Sequence, residues 1–260
     1  MKKALIGLAA TAVAAIATFG ASPAGAQQAA TITLLHGIPG ATVDVAVNGQ
    51  VVIPNFAPGA TQDLSSFAGQ TLTNVEVRTA GSTTVVIGPI PSLAVPASGN
   101  VTVVAHLTET GTPTLTPFVN DVSPTPAGQG RLTVRHTAAA PAVDIVVGTA
   151  RPITNLSNPN EAKLTLPAGP LSGAKIAPTG GAPIADVPAV NIEAGKNLIV
   201  YAVGSLSGNT FTYLTQSITT GEAGSLPDTG AESLPLALVG ALVAGAGIFM
   251  VASTRARRTA

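Results

Sequence analysis

One pattern constrains this chain more than any other. His36, Val43, Asp44, Val47, Ile53, Asn55, Ala68 and Gly69 recur one hundred residues later as His136, Val143, Asp144, Val147, Ile153, Asn155, Ala168 and Gly169. Further on the offset slips to 96, so that Gly99, Val103 and Val104 line up with Gly195, Ile199 and Val200. Thr112-Pro113-Thr114-Leu115 then lines up more loosely with Thr210-Phe211-Thr212-Tyr213. A period of this size is a complete folding unit written twice, so both halves must reach the same fold. Four residues of slip are what a change of loop length leaves behind.

The repeated unit reads as strands. Leu132-Thr133-Val134-Arg135-His136 alternates with period two, and Thr31-Ile32-Thr33-Leu34-Leu35-His36 does so until its last residues. Val43-Asp44-Val45-Ala46-Val47 runs into Asn48-Gly49, a dipeptide suited to a tight hairpin because both residues tolerate positive φ. Turn residues interrupt the apolar runs throughout, and no helical periodicity of useful length appears. The fold class predicted is all-β: two tandem β-sandwich domains of Ig-like or Greek-key type. Residues 27–120 form the first and 130–218 the second, joined by a Pro-rich, semi-stiff linker at 121–129. Each carries a full strand set, so each is expected to fold independently.

The ends of the chain carry different information. Residues 1–26 open with Lys2 and Lys3, continue without charge, and reach a small-residue site at Ala24-Gly25-Ala26. That order is a secretory signal cleaved after Ala26. At the other end, 234–252 is a charge-free apolar run of 19 residues, enough for a helix of roughly 28 Å. Arg255, Arg257 and Arg258 follow in the basic tail 253–260 and belong on the cytoplasmic side, which puts everything upstream outside. Just before the run stands Leu226-Pro227-Asp228-Thr229-Gly230.

This pentapeptide, followed by an apolar run and a basic tail, resembles the L-P-x-T-G sorting signal of Gram-positive surface proteins. The resemblance implies that a sortase breaks the Thr229–Gly230 bond and passes the Thr229 carbonyl to an amine of the peptidoglycan precursor. The chain would be a single-pass membrane protein before processing and wall-linked after it. Between the second domain and the motif lies a short stalk, 219–225, of at most ~25 Å when extended.

Composition narrows the function. Residues 27–229 carry seven basic and eleven acidic side chains, a net of −4, with no basic patch of the density that nucleic acid requires. The chain has no Cys, so disulfides and thiolate metal sites are excluded. Its few rings, among them Phe56, Phe118, Tyr201 and Tyr213, read as core, which argues against sugar stacking.

A second resemblance covers the repeat. Arg135-His136, the run Pro141-Ala142-Val143-Asp144-Ile145-Val146-Val147, Leu166-Pro167-Ala168-Gly169 and Ile192-Glu193-Ala194-Gly195-Lys196 are similar to the domain-of-unknown-function family 4397. The second half resembles it over nearly its whole length, and the first is a looser copy. The family implies a β-sandwich outside the cytoplasm and assigns no chemistry.

His36 with Asp44, and His136 with Asp144, form the polar pattern present in both halves. The simplest reading is structural: an imidazole N–H bonded to a carboxylate or a backbone carbonyl, closing the first hairpin. A ligand or metal contact, and a hydrolase dyad, stand beside it. The dyad lacks a nucleophile at equivalent places, and no clustered metal ligands or cofactor motif appear. The expectation is therefore a non-enzyme, wall-anchored, with structural or binding domains of unknown ligand. An adhesin for a host or matrix ligand is the alternative, and an envelope-polymer enzyme the third.

Overall fold

The computed structural model describes residues 30–223. The expected signal with Ala24 and Ala26, the expected sorting motif 226–230 and the apolar run 234–252 lie outside the described residues. The described chain is all-β, and among its residues no helix is long and apolar enough to cross a membrane.

The first half contributes β1 (Thr31–His36), β2 (Val43–Val47), β3 (Gln50–Phe56), β4 (Thr61–Asp63), β5 (Thr71–Thr79), β6 (Val85–Ala94), β7 (Asn100–Leu107) and β8 (Pro113–Val119). They form two sheets, β4-β1-β7-β8 and β3-β2-β5-β6. Pairing is antiparallel except between β1 and β7, which run parallel from Thr31 beside Asn100 to His36 beside Ala105. Asn48 and Gly49 both have positive φ and join β2 to β3 as the dipeptide predicted.

The second half contributes β9 (Gln129–His136), β10 (Val143–Val147), β11 (Ala150–Leu156), β12 (Glu161–Pro167) and β13 (Gly169–Leu171). It continues with β14 (Ala174–Pro178), β15 (Ala185–Asp186), β16 (Val190–Ile192), β17 (Lys196–Val203) and β18 (Thr212–Thr219). The order β12-β9-β17-β18 repeats the first sheet, with β9 and β17 again parallel, and β11-β10-β14-β15 repeats the second. What is one long hairpin in the first half, β5 with β6, is here two short pairs, β14 with β15 and β13 with β16.

Register corrects one alignment. Leu34 lies beside Val103, and Val134 beside Val200, so Val103 matches Val200 at an offset of 97, not Ile199 at 96. The reason is the face each residue must take. Val103 and Val200 pack within their own halves, whereas Val104 and Tyr201 point the other way.

That other way leads to the second half. Leu35, Val104 and Phe118 share one buried cluster with Ile199, Tyr201 and Val203. The sheets β4-β1-β7-β8 and β12-β9-β17-β18 therefore meet face to face. Their central strands are buried on both sides, Leu34 packing inward and Leu35 across the junction.

Two boundaries move as a result. Residues 121–129 were expected as a linker. Instead Arg131 donates from Nη1 to the carbonyls of Asp121 and Ser123, both at 3.1 Å, Thr125 is fully buried, and β9 already begins at Gln129. The expected stalk 219–225 is shorter too. The N–H groups of Thr220 and Gly221 bond to Gly195 O, and that of Ala223 to Thr125 O at 2.7 Å. Only Gly224 and Ser225 separate this bonded end from Leu226 in the sequence.

Candidate functional site

The repeated aspartates brace backbone. Asp44 accepts the N–H of Asn55 on Oδ1 at 2.7 Å and that of Gly81 on Oδ2 at 2.9 Å. Asp144 accepts Asn155 N–H at 2.8 Å and Gly180 N–H at 3.0 Å, and adds Arg151 Nη1 at 2.6 Å. Asn55 and Asn155 have φ of 51° and 52°, and each lies where register shifts along the β2–β3 or β10–β11 pair. The Asn residue adopts the left-handed bulge that its side-chain type tolerates, and the Asp takes up the N–H freed from the ladder. This linked role accounts for both recurring together. The donated backbone N–H groups, Asn55 and Asn155 first, hold both carboxyls below the ordinary value.

The histidines brace a different loop. His36 donates from Nε2 to Ala41 O at 2.7 Å, accepts Ile38 N–H on Nδ1 at 3.3 Å, and stacks on Phe56. His136 donates from Nε2 to Pro141 O at 3.0 Å. Since a carbonyl only accepts, Nε2 carries the proton in both. Within each half the His and the Asp do not bond one another: of the two partners expected for the imidazole, a carboxylate or a backbone carbonyl, it takes the carbonyl. β1 and β2 belong to different sheets, so the chain crosses between layers there and forms no hairpin for such a bond to close.

Burial holds His36, His106 and His136 below the imidazole value of 6.5, because the cation would be stripped of water. The unfolded chain binds protons near that value and the folded chain does not, so stability falls as pH drops through it. The lowered Asp44 and Asp144 extend the loss further into acid. Calorimetry should find Tm level above about pH 7 and falling below about pH 6.5. A Tm level down to about pH 5 would refute buried neutral histidines.

A polar network crosses the junction, and no role was read for its central residue from sequence. Arg135, fully buried, donates to Glu161 Oε2 at 2.8 Å, Tyr201 Oη at 2.9 Å and Asn120 Oδ1 at 2.8 Å. Its guanidinium lies 4.5 Å from the Phe118 ring centre. Tyr201 in turn donates its hydroxyl to Gln216 Oε1 at 2.6 Å, and the same oxygen accepts Thr102 Oγ1–H at 3.0 Å. Asn120, Thr102 and Phe118 belong to the first half, and Arg135, Tyr201 and Gln216 to the second.

Between the two sheets of each half lies an apolar cavity. The first, about 380 Å³, is lined by Leu34, Phe56, Val77, Val103 and Leu115 among others. The second, about 240 Å³, is lined by the equivalent Val134, Leu156, Ile176, Val200 and Tyr213. Two buried polar atoms have no hydrogen-bond partner among the described residues, His136 Nδ1 and the Tyr213 hydroxyl. Both side chains line the second cavity. In the first half the corresponding atoms are absent or satisfied: Leu115 stands for Tyr213, and His36 Nδ1 accepts Ile38 N–H.

Residues 30–146 match the family described as Domain of unknown function (DUF4397). The match takes in the whole first half, which reads as the looser copy, and runs through β9 to Val146 in β10. Beyond Val146 the second half repeats the strand order of the first and its Asp–Asn brace. No curated protein matches the chain.

Proposed function

We propose that this chain is a sortase-processed surface protein of a Gram-positive envelope. Residues 1–26 export it, and Thr229 joins it to peptidoglycan. Its body is two tandem β-sandwich copies of the DUF4397 type, non-catalytic and serving in structure or binding. One observation carries the anchoring: the pentapeptide 226–230, the charge-free run 234–252 and the Arg tail stand in the order that sortase substrates require.

Geometry supports a body held at the wall. Hydrogen bonding reaches Ala223, leaving two residues before Leu226, a reach of about 7 Å. An adhesin working at distance needs a longer stalk. The non-catalytic reading draws on His36, Asp44, His136 and Asp144, each of which is engaged in holding a loop.

Mass spectrometry of wall-digest fragments should find Thr229 amide-linked to a peptidoglycan amine. Recovery of the intact chain, with its Arg tail, by detergent alone would overturn the sortase reading in favour of a plain membrane anchor.

A further inference from the structure

We propose that β18 pairs edge to edge with β18 of a second copy of this chain, antiparallel about a twofold axis between the two copies of Gln216.

An edge strand offers unpaired N–H and C=O groups to any strand that reaches it, and proteins guard such edges with proline, charge or short length. Every other sheet edge among the described residues is guarded. Pro117 stands in β8, Pro54 in β3 and Pro91 in β6. Pro152 stands in β11, and Lys163 in β12. β4, β15 and both strands of the β13–β16 pair have three residues or fewer. β18 runs for eight residues with neither a proline nor a charge.

The two halves differ at the centre of this edge. Pro117 lies beside Val103 and Thr215 beside Val200, so the two positions are equivalent. The N–H groups of Thr210 and Thr220 bond to Ser205 O and Gly195 O, just beyond the two ends of β17, and the register between them is unbroken. Even-numbered residues of β18 therefore turn their backbone groups to β17, and Tyr213, Thr215, Ser217 and Thr219 turn theirs outward. Where Thr215 offers an N–H, the first half has a proline with none to offer.

A second copy fits these outward groups. Antiparallel pairing about Gln216 sets Thr215 opposite Ser217 and Tyr213 opposite Thr219 as the hydrogen-bonded pairs, with Leu214 opposite Ile218 between them. Leu214 and Ile218, already half-buried against the junction cluster, each gain an apolar neighbour. The strand bears no charge, so two copies bring no like charges together, and a foreign charged strand would find no countercharge. Paired strands run in opposite directions, so the two Ala223 ends leave at opposite poles. On the anchoring proposed above, such a pair joins copies held on facing walls and not neighbours on one wall; the pairing itself stands apart from that reading.

The test uses residues 27–229, which retain every described residue. Sedimentation over a micromolar-to-millimolar series should show monomer passing to dimer and no further, because pairing consumes the edge of each copy. Amide hydrogen exchange should slow with concentration at Tyr213, Thr215, Ser217 and Thr219. Leu214 and Gln216, whose N–H groups already face β17, should change little.

Thr215→Pro, which writes the first half's residue into the second, should weaken pairing at least about tenfold, since each copy loses a central hydrogen bond. It should melt close to the parent, because that N–H points away from β17. Ser217→Lys guards the edge by charge at an exposed position and leaves the backbone as it is, so it should weaken pairing as well. A chain that stays monomeric throughout, a dimer whose outward amides gain no protection, or a dimer undiminished in either folded variant would each overturn the proposal.

Discussion

Arg135→Met should lower the stability of the folded chain by about 3–5 kcal/mol, the range for removing one partner from a buried ion pair. For a body of this size that is a fall in Tm on the order of 10 °C. The guanidinium is fully buried and makes three hydrogen bonds at 2.8–2.9 Å, to a carboxylate, a phenol and an amide. Methionine fills much of the volume but leaves Glu161, which is only partly exposed, with Lys163 as its remaining ion partner. Asn120 Oδ1 also loses its donor from the second half. Arg135→Lys keeps the charge but not the planar fork, so it should recover only part of the loss. Urea denaturation of the three proteins decides the matter. A methionine variant as stable as the parent would mean that apolar packing replaces the network, as it does for some buried ion pairs.

The strands and their repeat were legible in the sequence because both rest on local chemistry. Period-two alternation sets which side chains share a face, and Asn48-Gly49 sets a turn by its tolerance of positive φ. The junction was not legible in the same way. Arg131, Thr133 and Arg135 alternate with Leu132, Val134 and His136, so one face of β9 reads as hydrated. All three are buried, because that face meets the junction and the chain segment 121–125, and their partners come from up to 66 residues away. Polar residues satisfied by distant partners look the same in sequence as polar residues satisfied by water. The trace that did exist was the failed alternation at Leu34-Leu35, matched by the unbroken Ile199-Val200-Tyr201. Strands covered on both faces produce such runs. The Asp–Asn brace was half legible: the repeat marked both residues, but pairing Asp with His assumed that consecutive strands share a sheet.

The same face decides what happens when the halves are separated. Sequence led to the expectation that residues 130–218 fold alone, and the buried cluster shared by the two halves argues for the opposite outcome. Without residues 30–128, the faces of Ile199, Tyr201 and Val203 lose their cover, together with half-buried Leu214 and Ile218. Each large apolar side chain returned to water costs about 1.5–3 kcal/mol, so these five approach the 5–15 kcal/mol that holds a whole domain together. Arg135 would keep Glu161 and Tyr201 but lose Asn120 and the Phe118 ring. Residues 129–223 expressed alone are therefore expected either to unfold or to self-associate through the β9-β17-β18 face. Adding residues 30–128 as a separate chain should restore a one-to-one complex by supplying Leu35, Val104, Phe118 and Asn120. The intact body should melt in one transition, since neither half has a complete covering of its own. Sedimentation of the fragment, alone and mixed, reads the result directly. A monomeric fragment with a cooperative melt close to that of the full body would show that the junction contributes little, and that the halves are neighbours rather than one folding unit.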